Sequence, residues 1–160
     1  MDGYNKNLNE VDMKDVDIEG NEEIKKVTNN KLSINDFSII KVIGKGSYGK
    51  VLLVKKNDEE AIYAMKVLKK KVMQKKNQIE HIKTERKIME LIDYPFIIKL
   101  KYAFQNPSKL YLVMDYCPGG ELFFHIQRVE RFNEEAAKFY AAQLVLALEH
   151  LHLNNVIYRE

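Results

Sequence analysis

Three features of the 160-residue sequence carry chemistry: a glycine-rich run, a lysine that follows it, and a glutamate further along. Gly44-Lys45-Gly46-Ser47-Tyr48-Gly49 has the spacing G-x-G-x-x-G, which by itself says little. Dinucleotide-binding folds place a helix directly after such glycines, so that a pyrophosphate meets the helix N-terminus. Here Lys50-Val51-Leu52-Leu53-Val54 follows, and it reads as a strand. Nor does a G-K-[ST] triplet close the run as a P-loop requires. What remains is a glycine hairpin between two antiparallel strands, whose backbone, free of Cβ atoms, can approach a triphosphate closely. An ordinary glycine-bearing hairpin turn explains the same residues equally well.

The lysine is Lys66, in the strand-like run Ala61–Leu68 (AIYAMKVL). Side chains alternate along a strand, so Ala64 and Lys66 share a face. A small residue beside a lysine leaves room for a flat ring and supplies a cation for phosphate oxygens. The plain alternative is a lysine facing solvent, as most do. The glutamate is Glu85. At about 100° per residue, Ile82, Met89 and Ile92 form an apolar helical stripe with Glu85 inside it. A carboxylate on a buried face is costly unless a cation pairs with it. Lys66 is the candidate partner, although Arg86, at the edge of the stripe, is a second charge there.

These residues need elements to position them. Phe37–Gly44, Gly49–Lys56 and Ala61–Leu68 read as three strands, the last two joined by the turn Asn57-Asp58-Glu59-Glu60. A polar stretch, Lys69–Lys76, leads into a helix over Asn77–Ile92. Lys101–Gln105 and Leu110–Asp115 are short strands around Asn106-Pro107-Ser108-Lys109, and Pro118-Gly119-Gly120 is a further break. Glu121–Gln127 is a short helix. Asn133–Leu153 is a long one, with Asn133 placed to cap it and Ala137, Tyr140, Leu144, Leu148 and Leu151 on one face. Strands, a helix, strands and then helices make an α+β pattern, not an alternating one.

Charge is distributed unevenly. The chain carries +3 overall, yet residues 1–30 hold eight acids against four lysines, a net −4 that leaves +7 on the remainder. Residues 1–31 are acidic, rich in Asn and poor in large apolar groups, which predicts a disordered tail. The excess lysines are not interleaved with aromatics, so nucleic acid is not an expected partner. The run Lys69-Lys70-Lys71 with Lys75 and Lys76 reads as a solvated basic surface. One cysteine, Cys117, permits no internal disulfide and suits a reducing compartment. No apolar stretch approaches the roughly 20 residues that span a bilayer, and the acidic start is no targeting peptide. Cytoplasmic placement, with the nucleus as the other option, is the expectation. His125, His150 and His152 lack metal-ligand spacing, and no metal site is expected.

Taken together, Ile43-Gly-Lys-Gly-Ser-Tyr-Gly-Lys-Val51, Ala64-Met65-Lys66 and Glu85 resemble the signature set of protein kinases. The wording of DFSIIKVIGKGSYGKV, QIEHIKTERKIMELIDYPFIIKL and LYLVMDYCPGGELFFHI is most similar to the AGC group of serine/threonine kinases, protein kinase B and its near relatives. The resemblance covers roughly residues 33–160. It implies a kinase N-lobe, a five-stranded antiparallel sheet with one regulatory helix, followed by helices of an incomplete C-lobe. The implied kinase domain spans 37–160, with N-lobe and hinge over 37–117 and the start of the C-lobe over 118–160.

The resemblance also assigns roles. Backbone N–H groups around Ser47, Tyr48 and Gly49 would cover the ATP phosphates, within a loop running from Gly44 through Lys45 and Gly46 to Lys50. Lys66 would hold the α- and β-phosphates and Glu85 would orient it; these are the two implied catalytic residues. Ile43, Val51 and Ala64 match the adenine-roof positions, and Met114 guards the back of the pocket. Asp115-Tyr116-Cys117 would be the hinge, with Asp115 and Cys117 offering backbone groups to the adenine edge. Glu121 matches a ribose-contacting acid, although an acid at the start of a helix needs no such role. His81 matches a position that meets a phosphorylated activation loop, and the lysines of 69–76 border a groove for a hydrophobic C-terminal tail. Protein substrates and an upstream activating kinase are implied as partners.

The pattern departs from the family at its end. Tyr158-Arg159 matches the middle of the catalytic-loop motif, but Glu160 stands where the family has its catalytic aspartate. The asparagine and the DFG aspartate that hold Mg²⁺ do not occur within these 160 residues. The expectation is negligible phosphoryl transfer by this chain alone, or a nucleotide-binding, regulatory module without catalysis. A second expectation concerns Asn133–Leu153, whose apolar face has few partners in the sequence. Each large side chain left uncovered forfeits about 1.5–3 kcal/mol, which predicts association or partial unfolding of the C-terminal third. Hydrogen exchange on the purified chain checks this, with fast exchange expected across 133–153 and uniform slow exchange in a monodisperse monomer counting against it.

Overall fold

A computed structural model describes residues 32–75 and 78–158. The acidic segment 1–31 and the terminal Arg159 and Glu160 lie outside the described residues. Five strands form one antiparallel sheet: β1 (Phe37–Gly46), β2 (Gly49–Lys56), β3 (Ile62–Lys69), β4 (Leu100–Gln105) and β5 (Lys109–Asp115), in the order β1-β2-β3-β5-β4. Helix α2 (Ile79–Leu91) lies between β3 and β4 in sequence, and α3 (Leu122–Val129) and α4 (Glu134–Leu153) follow the sheet. The expected α+β order of strands and helices is present.

Alternation splits β3 between two cores. Tyr63, Met65 and Val67 join Phe37, Leu52, Val54, Tyr111 and Val113 on one face, where Phe37 stacks on Phe104 and Tyr102 packs in. Leu68, Leu110 and Leu112 face the other way and meet Ile82 of α2. That second face carries the candidate site.

The polar run after β3 departs from expectation. Lys70–Lys75 is a short helix, α1, whose Met73 is 3% exposed and packs on Leu68, Ile82 and Leu110. One apolar side chain among lysines suffices to anchor a helical turn, because their long stems leave the ammonium groups in water. At α4 the Asn133 side chain accepts a hydrogen bond from the Ala136 N–H at 2.8 Å, the expected cap. Of its anticipated apolar face only Leu151 is buried; Tyr140, Leu144 and Leu148 are exposed. The helix meets the loop after α2 through Tyr94, which stacks on His150 with ring centroids 4.2 Å apart. Among the described residues, no helix is long and apolar enough to cross a membrane.

The β2–β3 turn is tied to β4 by a polar cluster the sequence does not announce. Glu59 accepts hydrogen bonds from the hydroxyls of Tyr63 (2.8 Å) and Tyr102 (2.9 Å) and pairs with the buried Lys56 at 3.0 Å. Lys56 also pairs with Asp58 and lies over the Tyr102 ring. The Tyr63 hydroxyl, then Lys56 and Tyr102, hold the Glu59 carboxyl below its ordinary value of 4.5. A carboxyl lowered on folding contributes stability that is complete above its unfolded value and is lost as pH falls through the folded one. Glu59→Gln is therefore expected to cost on the order of 1–2 kcal/mol near neutrality and progressively less in acid. Urea unfolding of both proteins at neutral and acid pH measures the gap; a gap that stays constant with pH refutes the assignment.

Candidate functional site

The site grows out of the register of β2, β3 and β5. Gly44 opposes Val51, Val51 opposes Lys66, and Lys66 opposes Leu112, one row crossing four strands. Leu53, Ala64 and Met114 form the adjacent row. Directly opposed residues share a face. Val51, Ala64, Lys66 and Met114 therefore lie together on the side that meets α2. Ile43, at a bulge between Val42 and Gly44, borders this patch and is partly exposed.

Lys66 Nζ is 2.6 Å from Glu85 Oε1, joining β3 to α2. The expected burial of Glu85 does not hold: its side chain is 42% exposed and that of Lys66 is 32% exposed. The buried charge on α2 is its neighbour Arg86, paired with Glu90 at 2.7 Å. A helical wheel puts adjacent residues 100° apart, so a small rotation of the helix decides which one enters the core. The two pairs play different parts. Arg86 is buried, and the part-buried Glu90 answers its charge there. A pair as open as Lys66–Glu85 contributes only about 0–1 kcal/mol to stability, so stability alone does not account for it. Its ammonium has further N–H donors and an open side.

The glycine run forms the hairpin between β1 and β2, with Gly46 opposite Gly49 and Ser47-Tyr48 as its two-residue turn. Two of its glycines differ in kind. A Cβ on Gly49 would stand 1.8 Å from the Val67 carbonyl oxygen, so the packing of β2 on β3 requires glycine there. A Cβ on Gly46 would meet nothing within 4 Å. Nothing in the described structure requires glycine at 46, and the space beside it suits the close approach of another molecule. The Tyr48 carbonyl accepts from the Lys69 N–H at 3.1 Å, fastening the turn to the end of β3. Lys45 and Lys50, opposite each other, take the face away from Lys66 and belong to the loop through their backbone.

Beyond β5 the chain turns at Pro118-Gly119-Gly120. Gly120 N–H donates to the Cys117 carbonyl at 3.3 Å, and Gly120 itself takes φ 73°, a conformation that favours glycine. The Asp115 N–H is engaged by the Lys99 carbonyl at 3.3 Å, and its carboxylate pairs with Lys101 at 3.2 Å. With its carbonyl occupied, Cys117 has its N–H left to offer. Its thiol is free and exposed. Glu121 occupies the N-cap of α3 but makes no side-chain capping bond, so capping does not explain it. His125 Nε2 lies 2.6 Å from the Gly119 carbonyl, a structural contact that stiffens this turn.

Residues 37–160 match the protein kinase domain. The chain belongs to the protein kinase family. This kinase sequence is 48% identical over 130 residues to a RAC family serine/threonine-protein kinase homolog of Dictyostelium discoideum, covering 81% of this chain and 29% of that protein. It is 52% identical over 126 residues to the human serine/threonine-protein kinase Sgk2, covering 78% and 34%. It is 55% identical over 128 residues to the serine/threonine-protein kinase SCH9 of Saccharomyces cerevisiae, covering 78% and 16%. The similarity is to AGC-type serine/threonine kinases, and the chain spans about a third or less of the length of these relatives. The five-stranded sheet with α2 is the kinase N-lobe, and α3 and α4 belong to the C-lobe.

Protein kinases use ATP and Mg²⁺. The open space at Gly46, the free side of Lys66 and the small Ala64 beside it are compatible with a nucleotide. Mg²⁺ is another matter: among the described residues no group of three or more His, Cys, Asp or Glu is placed to hold a metal ion. The acid at Lys66 is already paired.

The contrast between the glycines yields a paired expectation. Gly49→Ala should destabilise the sheet by several kcal/mol, on the order of a severe core overpacking. Gly46→Ala should leave the melting temperature unchanged or slightly raised, because alanine restricts the unfolded chain by about 0.4–1 kcal/mol. Thermal unfolding of the two variants checks this, and equal losses would remove the distinction.

Proposed function

We propose that these residues form the ATP-binding part of a serine/threonine protein kinase, one that transfers the ATP γ-phosphate to hydroxyl groups of proteins. The observation that carries the reading is the half-open Lys66–Glu85 pair, set beside the Val51–Ala64 surface at the base of the glycine hairpin. In this reading Ile43, Val51 and Ala64 hold the purine, with Met114 behind it. The Asp115 carbonyl and the Cys117 N–H face its edge, and Glu121 reaches the ribose. The Gly44–Gly49 backbone, which includes Lys45, Gly46, Ser47 and Tyr48 and runs on into Lys50, lies over the phosphates. Lys66 donates to phosphate oxygens, and Glu85 keeps its ammonium turned toward them.

Bound ATP supplies the phosphoryl group; the chain's own residues supply position and charge. Positioning is the larger part of such catalysis. In the same reading 37–117 are N-lobe and hinge and 118–160 the start of the C-lobe. The whole protein acts on protein substrates and is itself acted on by an upstream activating kinase. One observation favours a narrower role for the 160 residues alone. Glu160 stands in place of the catalytic aspartate, and in this second reading the 160 residues serve as a nucleotide-binding module without turnover.

Lys66→Met keeps the stem of the side chain and removes the charge. Loss of a charge-assisted hydrogen bond corresponds to a roughly ten- to hundredfold weaker affinity for ATP. Glu85→Gln should weaken it less, because the ammonium remains. Titration calorimetry with ATP reads both, and unchanged affinity in Lys66→Met overturns the assignment. Phosphoryl transfer by the 160-residue chain should stay at background in a γ-phosphate assay, and sustained turnover would overturn the narrower role.

A further inference from the structure

Four lysines converge on one face at one end of the sheet. Lys45 opposes Lys50 across β1 and β2, and Lys69 opposes Lys109 across β3 and β5. Lys50 also opposes Val67 of the Phe37 cluster. Lys69 and Lys109 stand two residues from Val67 and Tyr111, both members of that cluster. All four therefore share the face opposite Lys66. Strands lie about 4.8 Å apart, so the row crosses four of them in about 15 Å.

Like charges set directly opposite each other repel, and the fold does not relieve either pair. Among the described residues none of these four lysines has an acidic partner. The ion pairs of Lys55, Lys56, Lys99 and Lys101 gather instead with Glu60, Asp58, Glu59, Asp93 and Asp115 at the other end of the sheet. The sheet is thus electrically polar from end to end. Its basic end presents exposed or half-exposed lysines on flexible stems, with none of them buried to cradle a single phosphate. Such a row suits an extended anion bearing several charges.

The chain contains one. Glu10–Glu23 holds seven acids and one lysine. Glu10 to Glu19 precede Leu32 by 13 residues or more, an extended contour of at least about 43 Å. Strand β1 runs ten residues from near Leu32 to the basic end, about 30 Å. The reach is sufficient. We propose that the acidic segment Glu10–Glu23 binds the lysine row of its own chain. The row adjoins the glycine turn through the Lys69–Tyr48 backbone bond. Any effect of this contact on nucleotide affinity rests on the function proposed above, but the docking itself does not.

Carbodiimide coupling joins a carboxylate to an ammonium it touches, so it reads the docking without nucleotide. Applied to the dilute 160-residue chain at low salt, with peptide mapping by mass spectrometry, it should couple Glu10–Glu23 to Lys45, Lys50, Lys69 and Lys109. The yield per lysine should exceed that at the exposed Lys87 and Lys138 roughly fivefold, from two or three exposed pairs of ordinary strength. The preference should vanish in about 1 M salt, where screening falls to about 3 Å. It should fall likewise in a D12N/D15N/D17N/E19Q variant, whose substitutions lie outside the described residues. Coupling spread over lysines by exposure alone overturns the proposal. So do coupling found only between isotopically distinct chains, which would indicate a second copy, and equal coupling in the neutralised variant. Loss of the coupling to phosphatidylserine vesicles that shield the four lysines would reassign the row to a lipid surface.

Discussion

The contact between Lys66 and Glu85 is the joint on which the arrangement turns. It links a strand in the middle of the sheet to a helix otherwise held to that face by a small apolar cluster around Ile82 and Met73. Because both groups remain partly in water, the pair adds little to stability. It does fix where a cation stands relative to the glycine hairpin, while the rotation of α2 is set by what the helix packs on. That rotation sends Arg86 into the core, where Glu90 must meet it. One half-open pair and one buried pair on successive residues thus divide two tasks, presenting charge and holding the helix.

The hairpin shows the same division within six residues. Gly49 is glycine because the carbonyl of Val67 leaves no space for a side chain. Gly46 faces open space, and the proposed role of the loop over a nucleotide gives its lack of a side chain a purpose. Fastening the turn to β3 through Tyr48 and Lys69 limits how far the flap can lift. The sheet beneath is made rigid by its aromatic face and by the Glu59 cluster, which closes the end remote from the hairpin.

Charge is sorted along the sheet as well as across it. Acids and their lysine partners occupy the end that leads to the C-lobe, and lysines with no acidic partner among the described residues occupy the hairpin end. A polyanion approaching this molecule is therefore steered toward the hairpin end, an effect that salt screens within about a Debye length of 8–10 Å.

Much of this was legible in the linear chain. Alternation in AIYAMKVL put Ala64 and Lys66 on one face, because strand geometry permits nothing else, and the strand after Gly49 excluded a helix-bound pyrophosphate. Local capping chemistry placed Asn133 at the head of α4. Rotation and register were not legible. The burial of Arg86 in place of Glu85 depends on a few tens of degrees of helix orientation, set by what α2 packs on. The α1 turn rests on one methionine finding a core built from distant strands. The Glu59 cluster joins residues 43 apart, and the lysine row needs the pairing of β3 with β5. The sequence by itself determined which side chains lie near each other along an element, since that is backbone periodicity. Only the tertiary structure decided which of them meet across elements and which remain in water, because burial is a property of the assembled surfaces.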